Sequence, residues 1–222
     1  MVTRRQILLG TGSVALVALG GTVGYQFRAT KAPDTPPNQP NDQARVLVTY
    51  ATMMGSTGGV AETYAKTLQA AGHQVHFEKV RAGLDPSRFD AVVMGSAIKT
   101  SAWLPEIVDW AGTHNAVLRD KPVALFECSM TCAGAIAAGG PSEADLAQMA
   151  GDLTTLQAAA PSLTGRQVDF LPGRLDFDFL SPMIRMGYPF VGGTFWGDHR
   201  DPARAEAAAG RFAARPEVAA LV

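Results

Sequence analysis

The chain has 222 residues, a hydrophobic fraction of 47%, a charged fraction of 18% and a net charge of −1. That composition fits one compact domain behind a leader and excludes a disordered chain. The mild charge balance, with no basic patch, argues against nucleic acid as a partner.

The first thirty residues read as an address. Arg4 and Arg5 precede an uncharged stretch from Ile7 to about Gln26, softened by Gly10, Gly12, Gly20, Gly21 and Gly24. A basic pair followed by a moderately apolar segment is the order of a twin-arginine leader, a route that exports folded proteins. A Sec signal or a single membrane anchor is the alternative, because about 20 uncharged residues just span a bilayer. The expected location is periplasmic or membrane-anchored. Cleavage stays open, since no clean Ala-x-Ala site follows. Residues 31–43 are rich in Pro, Asn and Asp and read as an extended linker. The folded domain is expected over residues 44–222.

From there strands and helices alternate. Arg45–Tyr50 is a β-rich run, and Gly58–Ala71 carries Val60, Tyr64 and Leu68 at helical spacing before Gly72. Gln74–Val80 alternates like a strand. Ala91–Ser96 is continuously apolar, as a buried parallel strand is. Trp103–Gly112 reads as a helix with Pro105 in its first turn. Pro122–Glu127 is a strand, Ser142–Ala160 one long helix capped by Ser142, Gln167–Leu171 the last strand, and Ala203–Ala214 a helix. This α/β order predicts right-handed crossovers and a parallel sheet covered on both faces.

In such a sheet ligands bind beyond the carboxyl ends of the strands. Three loops stand there. The first, Thr52-Met53-Met54-Gly55-Ser56-Thr57, offers hydroxyls and a glycine ahead of a helix, a place that favours a phosphate. A plain Ser/Thr helix cap is the bland alternative. It lacks the Gly-Lys-Ser/Thr of a Walker loop and the spacing of a dinucleotide fingerprint. The second, Ser96-Ala97-Ile98-Lys99-Thr100-Ser101-Ala102-Trp103, has small residues that admit a flat ring. Trp103 serves there either as a ring cover or as core, and Lys99 either faces a ligand or is solvated. The third, Glu127-Cys128-Ser129-Met130-Thr131-Cys132, forms the other wall. Its two cysteines are four apart, not a Cys-x-x-Cys pair, and a disulfide, incidental small residues or a catalytic thiol are all open readings. His73, His76, His114 and His199 are scattered, so no metal is expected, and no side chain stands out as catalytic.

Taken together, Val46–Leu68 resembles the opening of flavodoxin-domain proteins, and Phe89–Ser96 followed by Trp103-Leu104-Pro105 resembles the next block of that family. Leu171–Asp176, Pro182–Met186 and Gly192-Gly193 look like the menaquinone-dependent protoporphyrinogen oxidase branch. The resemblance covers most of residues 45–214. It implies a flavodoxin-like, doubly wound five-stranded parallel sheet with helices on both faces. It also implies flavin mononucleotide (FMN) as cofactor. Thr52, Gly55, Ser56 and Thr57 would hold the phosphate, with Met53 and Met54 as further cofactor-binding residues of the same loop. Ser96, Ala97, Ile98 and Lys99 on one side, and Cys128, Ser129, Met130 and Thr131 on the other, would flank the ring.

Chemistry would then belong to the flavin, with the protein positioning and tuning it. The implied partner is a redox protein or a quinone, with membrane contact through residues 7–26 and the apolar stretch 175–196. A packed lid is the plainer reading of that stretch. Met53 and Met54 depart from the polar residues usual in the family's loop. An export leader conflicts with haem synthesis on the cytoplasmic side, so the branch's own substrate does not follow. A flavodoxin-type carrier without a substrate, and a flavin-free interaction module, are the alternatives.

Overall fold

The structure is a computed structural model that describes residues 35–176 and 197–222. The leader, and most of the apolar stretch expected over 175–196, lie outside the described residues. Among the described residues no helix is long and apolar enough to cross a membrane.

Five parallel strands form the sheet: β1 (Val46–Ala51), β2 (Val75–Lys79), β3 (Ala91–Ala97), β4 (Val123–Ser129) and β5 (Val168–Pro172). Their order is β2-β1-β3-β4-β5. It is the doubly wound five-stranded sheet expected, with its reversal of direction between β1 and β3. β1 is buried at all six positions because both of its faces are covered. Val46, Val48 and Tyr50 face one core, with Val60, Tyr64 and Leu68 of helix α1 (Ser56–Ala70) and with Ala205, Ala208 and Phe212 of helix α7 (Pro202–Ala213). Leu47 faces the opposite core, with Ile107 and Trp110 of α2 (Pro105–Thr113), Leu118 of α3 (Asn115–Arg119) and Leu156 of α6 (Thr154–Ala159).

α1 ends as its sequence requires. Gly72 takes φ 95°, the His73 amide bonds Leu68 O at 3.0 Å and the Gly72 amide bonds Gln69 O at 2.9 Å. Those two bonds satisfy carbonyls the helix leaves open, and the left-handed turn suits glycine.

Three expectations change. The single helix over 142–160 is two, α5 (Glu143–Asp152) and α6, broken at Leu153. Gly151 and the Thr154-Thr155 pair are weak helix formers, and Thr154 Oγ1 donates to Gly151 O at 2.7 Å. Ser142 does cap α5, through a reciprocal box with Asp145. The third loop is shorter than expected: Cys128 and Ser129 finish β4, and Met130 opens helix α4 (Met130–Ala137). Its small residues show no amphipathic stripe in the sequence, which hides it. The folded body also begins before Ala44. Gln39 pairs antiparallel with Phe77 of edge strand β2, at 2.7 and 3.1 Å, and Asn38 Oδ1 accepts from the Lys79 amide at 3.0 Å. Part of the expected linker thus covers the outer edge of the sheet. Finally, β6 (Arg174–Leu175) and β7 (Gly197–Asp198) form a small antiparallel ribbon, and α8 (Pro216–Ala219) closes the chain.

Candidate functional site

The carboxyl ends of β1, β3, β4 and β5 open onto one cleft of about 170 Å³. Met53, Met54 and Ser56 line it from the first loop, Ala97, Ile98 and Lys99 from the second, and Cys128, Ser129 and Met130 from the third. The three loops picked from sequence therefore converge on one place.

The first loop is built by its own hydroxyls. Thr52 is buried, and its Oγ1 accepts from the Gly55 amide at 3.0 Å. Gly55 takes φ 87°, a left-handed value that a side chain resists, and turns the chain into α1. The α1 N-terminus has no side-chain cap and no acidic residue in its first turn. Its amides and dipole therefore stay available to an anion. Thr57 Oγ1 is fully buried and has no hydrogen-bond partner of good geometry; the Cys128 thiol is its polar neighbour. A buried hydroxyl left open at a helix start fits a phosphate better than it fits a packing role. Thr52 and Gly55 shape the loop without lining the cleft, and Thr57 lies buried behind Ser56, also off the lining.

The second loop is a tight hairpin. Lys99 and Ala102 exchange backbone bonds at 2.9 and 3.2 Å, and Ile98 bridges Trp103. Thr100 and Ser101 carry positive φ of 50° and 56°, an uncommon state for non-glycine residues. Ser96, expected beside a ring, instead ties the loop: its Oγ accepts from the Leu104 amide at 2.9 Å and donates to Ala97 O at 2.8 Å. Trp103 is core, not a ring cover. It is 2% exposed, packs in the second core and donates Nε1–H to Glu127 Oε2 at 3.3 Å. Lys99 is exposed on the cleft rim.

On the third wall, Ser129 caps α4 by accepting from the Cys132 amide at 3.1 Å. Thr131 turns away from the cleft and lines a neighbouring cavity. Cys128 and Cys132 are buried and free, so no disulfide joins them. Burial pushes both thiols up, Cys132 to about 11 and Cys128 further, which keeps them protonated and unreactive near neutrality. Glu127 is fully buried; desolvation first, then the nearby Asp152 charge, push its carboxyl up to about 8.

Thr100 of the second loop also lines the cleft, as do Gly173, Arg174 and Leu175, which the sequence marks as part of a motif but not as cleft wall. The last three follow the final strand, where strand-end reasoning points to them. Gly173 donates its amide to Ser129 O at 3.1 Å, and Arg174 pairs with Asp176 at 2.6 Å. Among the described residues no three His, Cys, Asp or Glu converge on a metal geometry.

Among solved structures the chain is similar to oxidised flavodoxin 2 from Bacillus cereus, with 19% identity over 77% of this chain and 98% of that one, and a TM-score of 0.44. It is also similar to oxidised flavodoxin 1 from Bacillus cereus, with 12% identity over 80% and 98%, and a TM-score of 0.46. Two-electron reduced flavodoxin from Megasphaera elsdenii gives 18% identity over 74% and 98%, and a TM-score of 0.43. No curated protein matches the chain significantly. The family model described as flavodoxin domain matches residues 47–185, more than half of the chain. The chain therefore belongs to the flavodoxin-domain family.

Proposed function

We propose that this protein is an FMN-binding, flavodoxin-like oxidoreductase. The observation that carries the reading is the uncapped N-terminus of α1, where Ser56 lines the strand-end cleft and the buried Thr57 hydroxyl beside it has no hydrogen-bond partner of good geometry. Thr57, Ser56 and the first amides of α1 would hold the phosphate monoester without a cation in their loop. Ala97–Lys99 and Cys128–Met130 would flank the ring, with Met53, Met54 and Met130 excluding water. Bound there, FMN would supply one- or two-electron transfer. The residues around it would orient the ring and keep the pocket apolar, with Lys99 on the rim and Arg174, paired with Asp176, at the end of β5.

The finer reading is a quinone-linked, protoporphyrinogen-oxidase-like activity outside the cytoplasm, delivered by the twin-arginine leader and held at the membrane. It rests on the Leu171–Asp176 motif, on Pro182–Met186 and on Arg4-Arg5.

The test is the absorbance spectrum of the purified protein, with flavin counted after denaturation. A yellow protein releasing FMN supports the reading. A colourless protein that takes up no added FMN overturns it in favour of a flavin-free module. Turnover of a porphyrinogen or a quinol separates an oxidoreductase from a carrier, which is reduced only by a partner reductase. Replacing Arg4 and Arg5 by Lys should trap the protein in the cytoplasm if the leader reading holds.

A further inference from the structure

Behind the cleft wall lies a pair of carboxyl groups that the flavin reading does not use. Glu127 is 0% exposed and Asp152 is 1% exposed. Each has one oxygen satisfied: Glu127 Oε2 by Trp103 Nε1 at 3.3 Å, and Asp152 Oδ1 by Gln148 Nε2 at 2.8 Å. Each has one oxygen with no donor in reach, Glu127 Oε1 and Asp152 Oδ2. The two groups are nonetheless in hydrogen-bonding contact with each other. Two buried carboxylates cannot both be charged side by side, and an orphaned oxygen on each is costly. One proton held between them removes both problems.

The pair has two outlets. Glu127 also contacts the Ser129 side chain, and Ser129 lines the cleft. Asp152 lines a second, more open cavity with Ser101, Thr131, Asp145, Gln148 and again Ser129. The other titratable groups nearby are Cys128 and Cys132, whose thiols both feel the Glu127 charge, and Asp145 on the cavity wall. Trp103 and Gln148 complete the surroundings and carry no charge. No lysine or arginine among the described residues pairs with either carboxylate.

We propose that Asp152, Glu127 and Ser129 form a proton path from the second cavity into the ligand cleft. The Ser129 hydroxyl, which donates to Glu127 at rest, turns to pass its proton to an acceptor in the cleft as its Oγ takes one from the carboxyl pair. Water in the second cavity then returns a proton to the pair through Asp152. These residues carry no electrons; the donor of the cleft's redox reaction, an organic quinol or a partner reductase, supplies them. Ser129 Oγ already accepts from the Cys132 amide, which fixes it in place as the relay. The cleft end of the path rests on the flavin reading; the shared proton does not.

Infrared spectroscopy of flavin-free protein at pH 7 tests the shared proton alone. The expected result is a protonated-carboxyl C=O band, sensitive to D₂O, that is lost in Glu127→Gln and in Asp152→Asn. Its absence from the wild type, or its persistence in both variants, overturns the pair. Circular dichroism confirms that the variants fold, and Ser129→Ala gives an independent handle. Added FMN then serves as the probe of the cleft. In rapid reduction with a pH-indicator dye, Ser129→Ala should slow proton uptake by about 10²-fold, the low end for a positioned acid, and leave the infrared band in place. Unchanged proton uptake overturns the path. If no FMN binds, the cleft end of the path fails together with the flavin reading, while the band still decides the shared proton.

Discussion

Gly95 of β3 sits flat under the ring of Phe126 of β4, and the two residues are direct partners in the sheet register. A Cβ at position 95 would fall on the ring's Cζ and Cε atoms. The ring cannot slide away, because Tyr64 stacks on it at 4.8 Å with the planes 16° apart. The Gly95→Ala change should therefore cost about 1–3 kcal/mol or more by overpacking. Urea unfolding measures it. A Gly95→Ala/Phe126→Leu pair should recover part of the loss, as residues in contact do not add. Full additivity would mean the ring is not the obstacle.

Thr57 separates binding from stability. Its hydroxyl is buried with only the Cys128 thiol as a polar neighbour, so Thr57→Val keeps the shape and removes a polar group that the apo fold satisfies poorly. Apo stability should hold or rise. FMN affinity should fall about tenfold, one charge-assisted hydrogen bond's worth, with riboflavin affinity changed by less than roughly twofold. Equal losses for both ligands in a titration refute the phosphate assignment.

The buried acid gives a pH signature. Glu127 titrates near 8 in the fold, raised by burial and then by Asp152, against an ordinary 4.5. A carboxyl with a raised folded value binds its proton more tightly in the native state. Its stabilising contribution is complete below about 4.5 and is lost as pH rises through about 8. The burial of Asp152 moves its carboxyl in the same direction. Relative to Glu127→Gln, the wild type should therefore lose stability from about pH 5 to about pH 8. A difference in unfolding free energy that stays flat across that window excludes the raised value.

His76 anchors the segment ahead of β1. Its Nδ1 accepts from the Asn41 amide at 3.1 Å, which leaves Nε2–H to donate to Glu78 Oε2 at 2.9 Å. The His76→Ala variant breaks both bonds and leaves the Asn41 amide unpaired. A loss of about 1–3 kcal/mol is expected, with faster hydrogen exchange at Gln39 and Asn41. Unchanged exchange at both amides would show that the Gln39–Phe77 pairing holds the segment unaided.

Ser142 offers the smallest effect. Its hydroxyl and the Asp145 carboxylate satisfy each other's backbone donors at the start of α5. The Ser142→Ala change should lower stability by about 1 kcal/mol. A thermal melt equal to the wild type would mean that water replaces the cap.

Strand positions were legible because buried parallel strands read as β-rich, mostly apolar runs, as Arg45–Tyr50 and Ala91–Ser96 do. The Thr52–Thr57 loop was legible because glycine and hydroxyls at a strand-to-helix turn have few other uses. The roles of Trp103 and Ser96 were not. A tryptophan at a helix start looks the same whether it covers a ligand or fills a core, and only the position of Glu127 across the sheet decides it. Gly173 and Arg174 were seen as part of a motif but not as cleft wall, because their place depends on β5 pairing beside β4.

By itself the sequence determined the α/β order, the three strand-end loops and a phosphate-suited turn, since periodicity, glycine and hydroxyl placement are local properties. The tertiary structure alone decided which hydroxyls are free. Thr52 and Ser96 are used up inside their loops, while Thr57 is buried and open. It also brought Glu127 and Asp152, twenty-five residues apart in the chain, into one buried pair. Both outcomes depend on what packs against a side chain, and that is set by the crossover geometry of the sheet rather than by any neighbour in sequence.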